Sequence, residues 1–270
     1  LQADHVSDNL SVYASSRNNH LIGEAVGLLV AGTKFSFLRN SDRWMRLGSR
    51  TAMREVRAQV TPGGASREQT FHYGAFVLEF ALLAAACARS SSGATPGPLA
   101  DRLASMAGFI AATAGPGGVQ PSVGDADGGR AFALSEGPHD RQALRAAVAA
   151  ARWLGLPPPE SAEAGDLEAS FWLGGSGHGP AMREARERRE RPREDIGEQE
   201  SESRGADPGG ERASGSTARW FPEAGYLVAG RGGDHGVVDC GPLGYLSIAA
   251  HGHADCLSLA LSHEGDWFLV

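Results

Sequence analysis

A run of charged residues divides this chain into two parts with different periodicities. Residues 182–216 are dense in Arg and Glu and nearly free of large apolar side chains, so they cannot form a packed core. Apolar residues recur at helical spacing before this run, and short apolar segments punctuated by glycine follow it. We predict a helical domain at residues 1–178, a disordered linker or solvated helix at 179–217, and the start of a β domain at 218–270.

Helical patterns alternate with loops throughout the first part of the chain. A polar run at residues 15–19 provides capping side chains for a helix that is predicted to stop at Gly32, and Asn40 begins another that ends before Pro62. Further helices are predicted within residues 1–9, 73–89, 99–113 and 140–156. This succession lacks strand-like alternation, which favours an all-helical domain of paired helices.

Composition excludes several classes of protein. With 270 residues, 41% of them hydrophobic, the chain can bury a sizeable core. Its net charge of −7 argues against nucleic-acid binding through bulk charge. The three cysteines are far apart, so neither a disulfide framework nor a thiolate zinc site is predicted. The most apolar stretch contains Glu79 and ends at Arg89, so no membrane span is predicted.

Four polar stretches could carry chemistry, and each also has a structural interpretation. Asn18 and Asn19 begin a helix and could be N-caps, Tyr73 closes the stretch 68–73 and could be a core tyrosine, and residues 124–129 have the composition of a turn. In the fourth stretch, an extended HGHAD segment would place the two histidines on one face, about 7 Å apart. Together with Asp255 they could bind zinc or serve acid–base chemistry.

Taken in order, four segments of the chain resemble the heparinase II/III-like polysaccharide lyases. They read SSRNNHLIGEAVGLLVAG, REQTFHYGAFVLEFALLAA, VGDADGGRAF and GPLGYLSIAAHGHADCLSLALSHEGDWFLV. The resemblance implies an α+β multidomain fold, a helical (α/α) toroid followed by an antiparallel β-sandwich, with the active site in the cleft between them. It also implies a toroid that is incomplete at the N-terminus, a sandwich that is incomplete at the C-terminus, and a location in the periplasm or cell envelope.

The activity implied by the resemblance is β-elimination at a uronic acid of an anionic polysaccharide. The proton at C5 is removed and the glycosidic oxygen at C4 leaves. By resemblance, Asn19 and His20 donate hydrogen bonds to the substrate carboxylate and disperse its developing charge. Tyr73 acts as the base or the acid. His251 assists proton transfer or keeps the carboxylate neutral, and His20 is the base for the other C5 configuration. We expect these four side chains to converge on one cleft.

The resemblance also assigns secondary roles. Glu24 and Asp125 are assigned to substrate binding, and His253 is assigned as a structural zinc ligand that points away into the β segment. A further carboxylate ligand is expected beyond residue 270, and no organic cofactor is expected. Many members have Tyr-His where this chain has Tyr73 followed by Gly74, so the neighbouring histidine is predicted to be missing.

Two other functions are compatible with the sequence. A toroid glycoside hydrolase would use Asp125 and Asp127, or Glu24, as its carboxylate pair. A non-catalytic glycan-binding or exopolysaccharide-assembly protein would keep the cleft without turnover. The polysaccharide, endo or exo action and the oligomeric state are left open by the sequence.

Overall fold

Seven α-helices precede a five-stranded sheet in the part of the chain that the structure, a computed structural model, describes. The description covers residues 1–13, 15, 17–133, 139–173 and 216–269, so nearly all of the predicted linker lies outside it. The helices are α1 Gln2–Asp8, α2 Asn19–Lys34, α3 Ser41–Gln59, α4 Phe71–Ser92, α5 Gly97–Ala114, α6 Gln142–Trp153 and α7 Glu168–Trp172. Short 3-10 turns at His139–Arg141 and Ala164–Leu167 precede the last two.

Helices α2 and α3 pack with their backbones close together. The side chain of Asn18 accepts a hydrogen bond from the backbone N–H of His20 at 3.2 Å, which makes it the N-cap of α2. α2 continues two residues past its predicted end at Gly32. That glycine is a packing position against α3 and does not end the helix. A Cβ atom at Gly48 of α3 would lie 2.4 Å from the carbonyl oxygen of Ala25. Glycine at these positions therefore permits the close contact of the two helices.

Helix α4 is the central helix of the larger core. Its wholly buried Leu78 and Leu82 share a cluster with Ile22 of α2, Leu103 of α5 and Ala147 of α6. By length and composition this helix could cross a membrane, contrary to the expectation from the sequence, which rested on the charges at its centre and end. In its most apolar stretch of 18 residues, however, 61% is buried inside the protein, as in the core helix of a globular domain.

The second part of the chain is an antiparallel sheet, which confirms the predicted β structure. Its strands follow chain order and are β1 Ser216–Phe221, β2 Tyr226–Arg231, β3 Asp234–Asp239, β4 Leu259–His263 and β5 Asp266–Leu269. The described residues form this one sheet, and the second layer of a sandwich is not among them. A long loop, residues 240–258, joins β3 to β4 and contains the HGHAD segment.

One face of the sheet packs directly on the helices. A second core joins four residues of the helical part to the sheet and its β1–β2 turn: Ala65, Phe71, Phe109, Val123, Phe221, Ala224, Tyr226, Val228, Val237 and Ala260. In β4 the small residues face inward, and Leu259 lies on the outer face. The shared core holds the β3–β4 loop over the N-terminal ends of α2 and α4.

Candidate active site

Three residues from distant parts of the chain meet where the helices contact the β3–β4 loop. The ring of Tyr73, at the start of α4, stacks on the imidazole of His251 with centroids 3.8 Å apart and planes 22° apart. The side-chain nitrogen Nδ2 of Asn19, the first residue of α2, lies 3.3 Å from Nε2 of His251, although the two residues are 232 positions apart. The structure therefore brings together three of the four predicted catalytic side chains.

The HGHAD segment is a loop and not a strand, so the extended geometry considered for it is wrong. His251 has φ of 63°, in the left-handed region. Its carbonyl oxygen accepts a hydrogen bond from the backbone N–H of Asp125 at 3.1 Å, and Asp255 accepts one from the N–H of Gly124 at 2.6 Å. These contacts hold the segment against the loop of residues 124–129, and they override the extended conformation.

Glycine is required where the two loops touch. Gly124 has φ of 67°, and a Cβ atom there would lie 2.5 Å from Cβ of Thr70 and 3.0 Å from the carbonyl oxygen of His251. The absence of a side chain lets the loop pass between these residues. The next residue, Asp125, is then carried to the edge of the imidazole.

Asp125 holds two histidines, which differs from its predicted role in substrate binding. Its Oδ2 lies 3.1 Å from Nδ1 of His251, and its Oδ1 contacts Nε2 of His253. The hydrogen bond with His251, reinforced by His253, lowers the pKa of Asp125, so this carboxylate is ionised at neutral pH. The carboxylate therefore faces the imidazoles, where it can stabilise a positive charge.

His253 does not point into the β segment as expected. Its side chain is 58% exposed and shares the Asp125 carboxylate with His251. The expectation came from the family resemblance. In the structure the loop backbone turns at this segment and brings both imidazoles to the Asp125 carboxylate.

The hydroxyl of Tyr73 donates a hydrogen bond to Oδ2 of Asp127 at 2.7 Å. Burial raises the pKa of Tyr73 far above its ordinary value, and the hydrogen bond to Asp127 and the other nearby carboxylates raise it further. The same hydrogen bond lowers the pKa of Asp127. At neutral pH the pair is therefore a protonated phenol beside an ionised carboxylate.

Glu68 is a wholly buried carboxylate beneath the cluster, and the sequence analysis gave it no role. Its Oε1 accepts the backbone N–H of Asn19 at 2.7 Å, and its Oε2 accepts Nδ2–H of the same residue at 2.9 Å. Oε2 also lies 3.8 Å from Nε2 of His251. Burial raises the pKa of Glu68, and the two hydrogen bonds from Asn19 act in the opposite direction. Its place in the polar stretch before Tyr73 was the only sequence signal.

The position after Tyr73, where many family members have histidine, is Gly74, and the histidine beside Tyr73 in this chain precedes it, at His72. The imidazole of His72 meets the Tyr73 ring edge-on, with centroids 5.6 Å apart. Its Nε2 lies 3.6 Å from Oδ1 of Asp127. Burial lowers the pKa of His72, so the ring is neutral near pH 7.

His20 and Glu24 lie on α2 near the cluster, in different environments. His20 is exposed, and it is near enough to Glu68 for its charge to oppose the rise in that carboxyl's pKa. Both oxygens of Glu24 accept hydrogen bonds from Ser11, at 2.7 Å from its backbone nitrogen and 2.6 Å from its Oγ. Glu24 therefore fastens the segment after α1, which differs from its predicted role in substrate binding.

The residues present do not fit a complete zinc site. His253 contacts the carboxylate of Asp125, but the described residues include no group of three or more His, Cys, Asp or Glu that could hold a metal ion. A structural zinc site needs four ligands.

Comparison with known proteins gives the family. The family description "Heparinase II/III N-terminus" matches residues 1–136, and "Heparinase II/III-like, C-terminal" matches residues 213–270. No curated protein sequence matches the chain.

Among solved structures, a heparinase III shares the fold with a TM-score of 0.61 and 17% identity, over 98% of this chain and 36% of that one. A second, a heparinase III gene product, gives a TM-score of 0.57 and 18% identity, over 98% of this chain and 33% of that one. The chain thus spans about a third of the length of these structures. The two family matches together show that the chain belongs to the heparinase II/III-like family.

Proposed function

We propose that the full-length protein is a polysaccharide lyase that cleaves a uronic-acid-containing glycan by β-elimination. The observation that supports this most is the direct contact of an amide, a phenol and an imidazole, on Asn19, Tyr73 and His251. Elimination needs hydrogen-bond donors that stabilise the negative charge of the substrate carboxylate, a base for the C5 proton and an acid for the leaving oxygen. The cluster has a side chain for each requirement.

Tyr73 is the general acid in this proposal. Its raised pKa keeps the phenol protonated at neutral pH, so it has a proton to give to the C4 oxygen as the glycosidic bond breaks. Asp127 accepts the phenolic hydrogen bond and orients the hydroxyl. The resemblance left base and acid roles open for Tyr73, and its environment favours the acid.

His251 is the base for the C5 proton. Asp125 beside Nδ1 favours the tautomer that carries its proton on Nδ1, an assignment made from the hydrogen-bond network, and this leaves a lone pair on Nε2. The ionised carboxylate then stabilises the imidazolium that forms when Nε2 takes the proton. The exposed His20 is the base for a uronate of the opposite C5 configuration.

Asn19 and His20 stabilise the negative charge of the substrate carboxylate. Both lie in the first turn of α2, whose N-terminus carries a partial positive charge. As the C5 proton leaves, negative charge spreads onto the carboxylate, and donors that are already oriented stabilise it without reorganisation. The substrate in this proposal is an anionic polysaccharide. Because the net charge of the chain is −7, the protein as a whole does not attract an anion, and these local donors must hold it.

A glycoside hydrolase built on Asp125 and Asp127 is disfavoured. Glycosidases require one carboxyl group that stays protonated to serve as the acid. Hydrogen bonds with His251 and Tyr73 lower the pKa of both aspartates. A non-catalytic glycan-binding protein is the remaining alternative, and it predicts binding without an unsaturated product. By family resemblance we place the protein in the periplasm or cell envelope.

The test is Tyr73→Phe in the full-length protein, with formation of the unsaturated uronate followed by its ultraviolet absorbance. Turnover should fall by roughly 10²–10⁴-fold, because the proton donor is lost. The melting temperature should stay close to that of the parent, because the ring still stacks on His251.

Tyr226→Phe is the matched control, since it removes another buried hydroxyl, one without a hydrogen-bond partner among the described residues. It should leave turnover unchanged. Turnover of Tyr73→Phe within a few-fold of the parent would make Tyr73 a core residue and would contradict the proposed mechanism.

A further inference from the structure

We propose that Glu68 is a positioning residue that sets the direction of the Asn19 amide in the active site. The inference rests on the proposed function, because Asn19 matters there as a donor to the substrate carboxylate. Glu68 itself is wholly buried and acts through Asn19.

Two hydrogen bonds define the position of Asn19. Glu68 accepts the backbone N–H with one oxygen, at 2.7 Å, and the side-chain N–H with the other, at 2.9 Å. An asparagine amide can turn over and exchange its oxygen and nitrogen at little steric cost. A carboxylate accepts hydrogen bonds at both oxygens, so it holds only the orientation in which Nδ2 faces Glu68.

The second hydrogen on Nδ2 of Asn19 is then directed at the reacting groups. Nε2 of His251 lies 3.3 Å from Nδ2, and in the tautomer assigned above, with the proton on Nδ1, it is the acceptor of this hydrogen. A reversed amide would present Oδ1 to the Glu68 carboxylate and to the lone pair of Nε2, and both contacts would be repulsive. Glu68 therefore keeps a donor facing the imidazole and the adjoining space where a uronate carboxylate would bind.

This arrangement couples substrate binding to the base. A substrate carboxylate that accepts the second hydrogen of Asn19 withdraws it from His251. Nε2 then has a free lone pair for the C5 proton, while Asp125 still holds Nδ1. The amide thus exchanges one acceptor for another, and Glu68 holds its position during the exchange.

The surroundings explain how a buried carboxylate is tolerated at an anion-binding site. Asn19 is the first residue of the 16-residue helix α2, so Glu68 lies at the positive end of the helix dipole. Its own backbone N–H is bonded to Oγ of Ser66 at 3.3 Å, in the segment that leads into α4. Glu68 therefore ties the start of α2, with Asn19, to the segment that precedes Tyr73.

A double-mutant cycle in the full-length protein tests the inference, using Glu68→Gln, Asn19→Ala and the double variant. Glu68→Gln preserves volume but replaces one acceptor by a donor that opposes an N–H of Asn19. We expect kcat to fall roughly 10–100-fold in the parent background, and to change less than about twofold when Asn19 is already alanine. Glu68→Asp, which retains two acceptors, should recover part of the loss and serves as the variant to compare if Glu68→Gln does not fold.

Glu55→Gln is the matched control, because Glu55 is another buried glutamate, with hydrogen bonds from Arg17 and Gln59. It should lower the melting temperature and leave kcat near that of the parent. An equal effect of Glu68→Gln in both backgrounds, or none in the parent, would overturn the inference while leaving the proposed lyase activity intact.

Absence of unsaturated product from the parent would refute the proposed function instead. The amide signals of Asn19 in a ¹H–¹⁵N NMR spectrum then decide the position of Glu68 without catalysis. We expect protected, shifted Nδ2–H signals that move to free-amide values in Glu68→Gln, and unchanged signals would overturn the inference.

Discussion

The imidazole of His251 is held on three sides by groups from three parts of the chain. Tyr73 covers one ring face, Asp125 faces Nδ1, and Asn19 faces Nε2. The stacked Tyr73 ring limits the tilt of the imidazole, Asp125 favours one tautomer, and Asn19 limits rotation of the ring. Catalytic groups that are held in this way need little reorganisation during the reaction.

At the same scale, we expect only weak zinc binding by the chain of 270 residues. His253 and Asp125 provide two ligands, and a structural zinc site uses four. A titration against a chromophoric chelator should show weak binding that His253→Ala removes. The control is His5→Ala, on helix α1, which should leave it unchanged. Tight, stoichiometric zinc would contradict this prediction.

Among the elements, the loop of residues 124–133 depends on a buried glutamate of α4. Thr70 donates its hydroxyl to the carbonyl oxygen of Asp125 at 2.8 Å, and Ala131 donates its N–H to Oε2 of Glu79 at 2.7 Å. Between these contacts lie the two aspartates that touch His251 and Tyr73. The glutamate on α4 therefore helps to hold the aspartates in place.

Glu79 makes the stability of the protein depend on pH. Burial raises its pKa from 4.5 to about 7, so between these values the folded state binds more protons than the unfolded state. Stability should therefore fall as pH rises from 4.5 to 7, by on the order of 3 kcal/mol from this group. Urea unfolding should show a steeper loss over this range for the parent than for Glu79→Gln.

The exposed Glu160→Gln is the control, and it should retain the parent's slope. Equal slopes for the parent and Glu79→Gln would show that Glu79 does not titrate in this range.

At the scale of the whole molecule, the helical part and the sheet share the second core, around Phe109, and should unfold together. Phe109 of α5 contacts the rings of Phe71, Phe221 and Tyr226, with centroids 5.7, 4.9 and 5.7 Å away. One aromatic side chain thus connects α4 with two strands.

Phe109→Ala should destabilise both parts at once. The cavity and the lost contacts should cost about 3–5 kcal/mol. Helical ellipticity and hydrogen exchange of the strand peptides should report the same single transition at lower denaturant concentration. Phe37→Ala, at a side chain that is 81% exposed, should have little effect. Loss of the strands while the helices keep the parent's stability would show two independent units.

The sequence by itself determined the order of helices and strands, a capped start of α2 at Asn18 or Asn19, and the identity of the family. These depend on local backbone preferences, on periodic burial, and on motifs that keep their order along the chain. It also offered Asn19, His20, Tyr73 and His251 as candidates, through the motifs that resemble those of the family.

Only the tertiary structure decided which groups these residues contact. The conformation of the HGHAD loop, the pairing of Asp125 with two histidines and the position of Glu68 beneath Asn19 all depend on contacts across 49 to 232 residues of chain. Periodicity reports whether a side chain is buried, and it carries no information about which distant group it meets. That partner is set by the packing of the sheet against the ends of α2 and α4, through the shared core around Phe109.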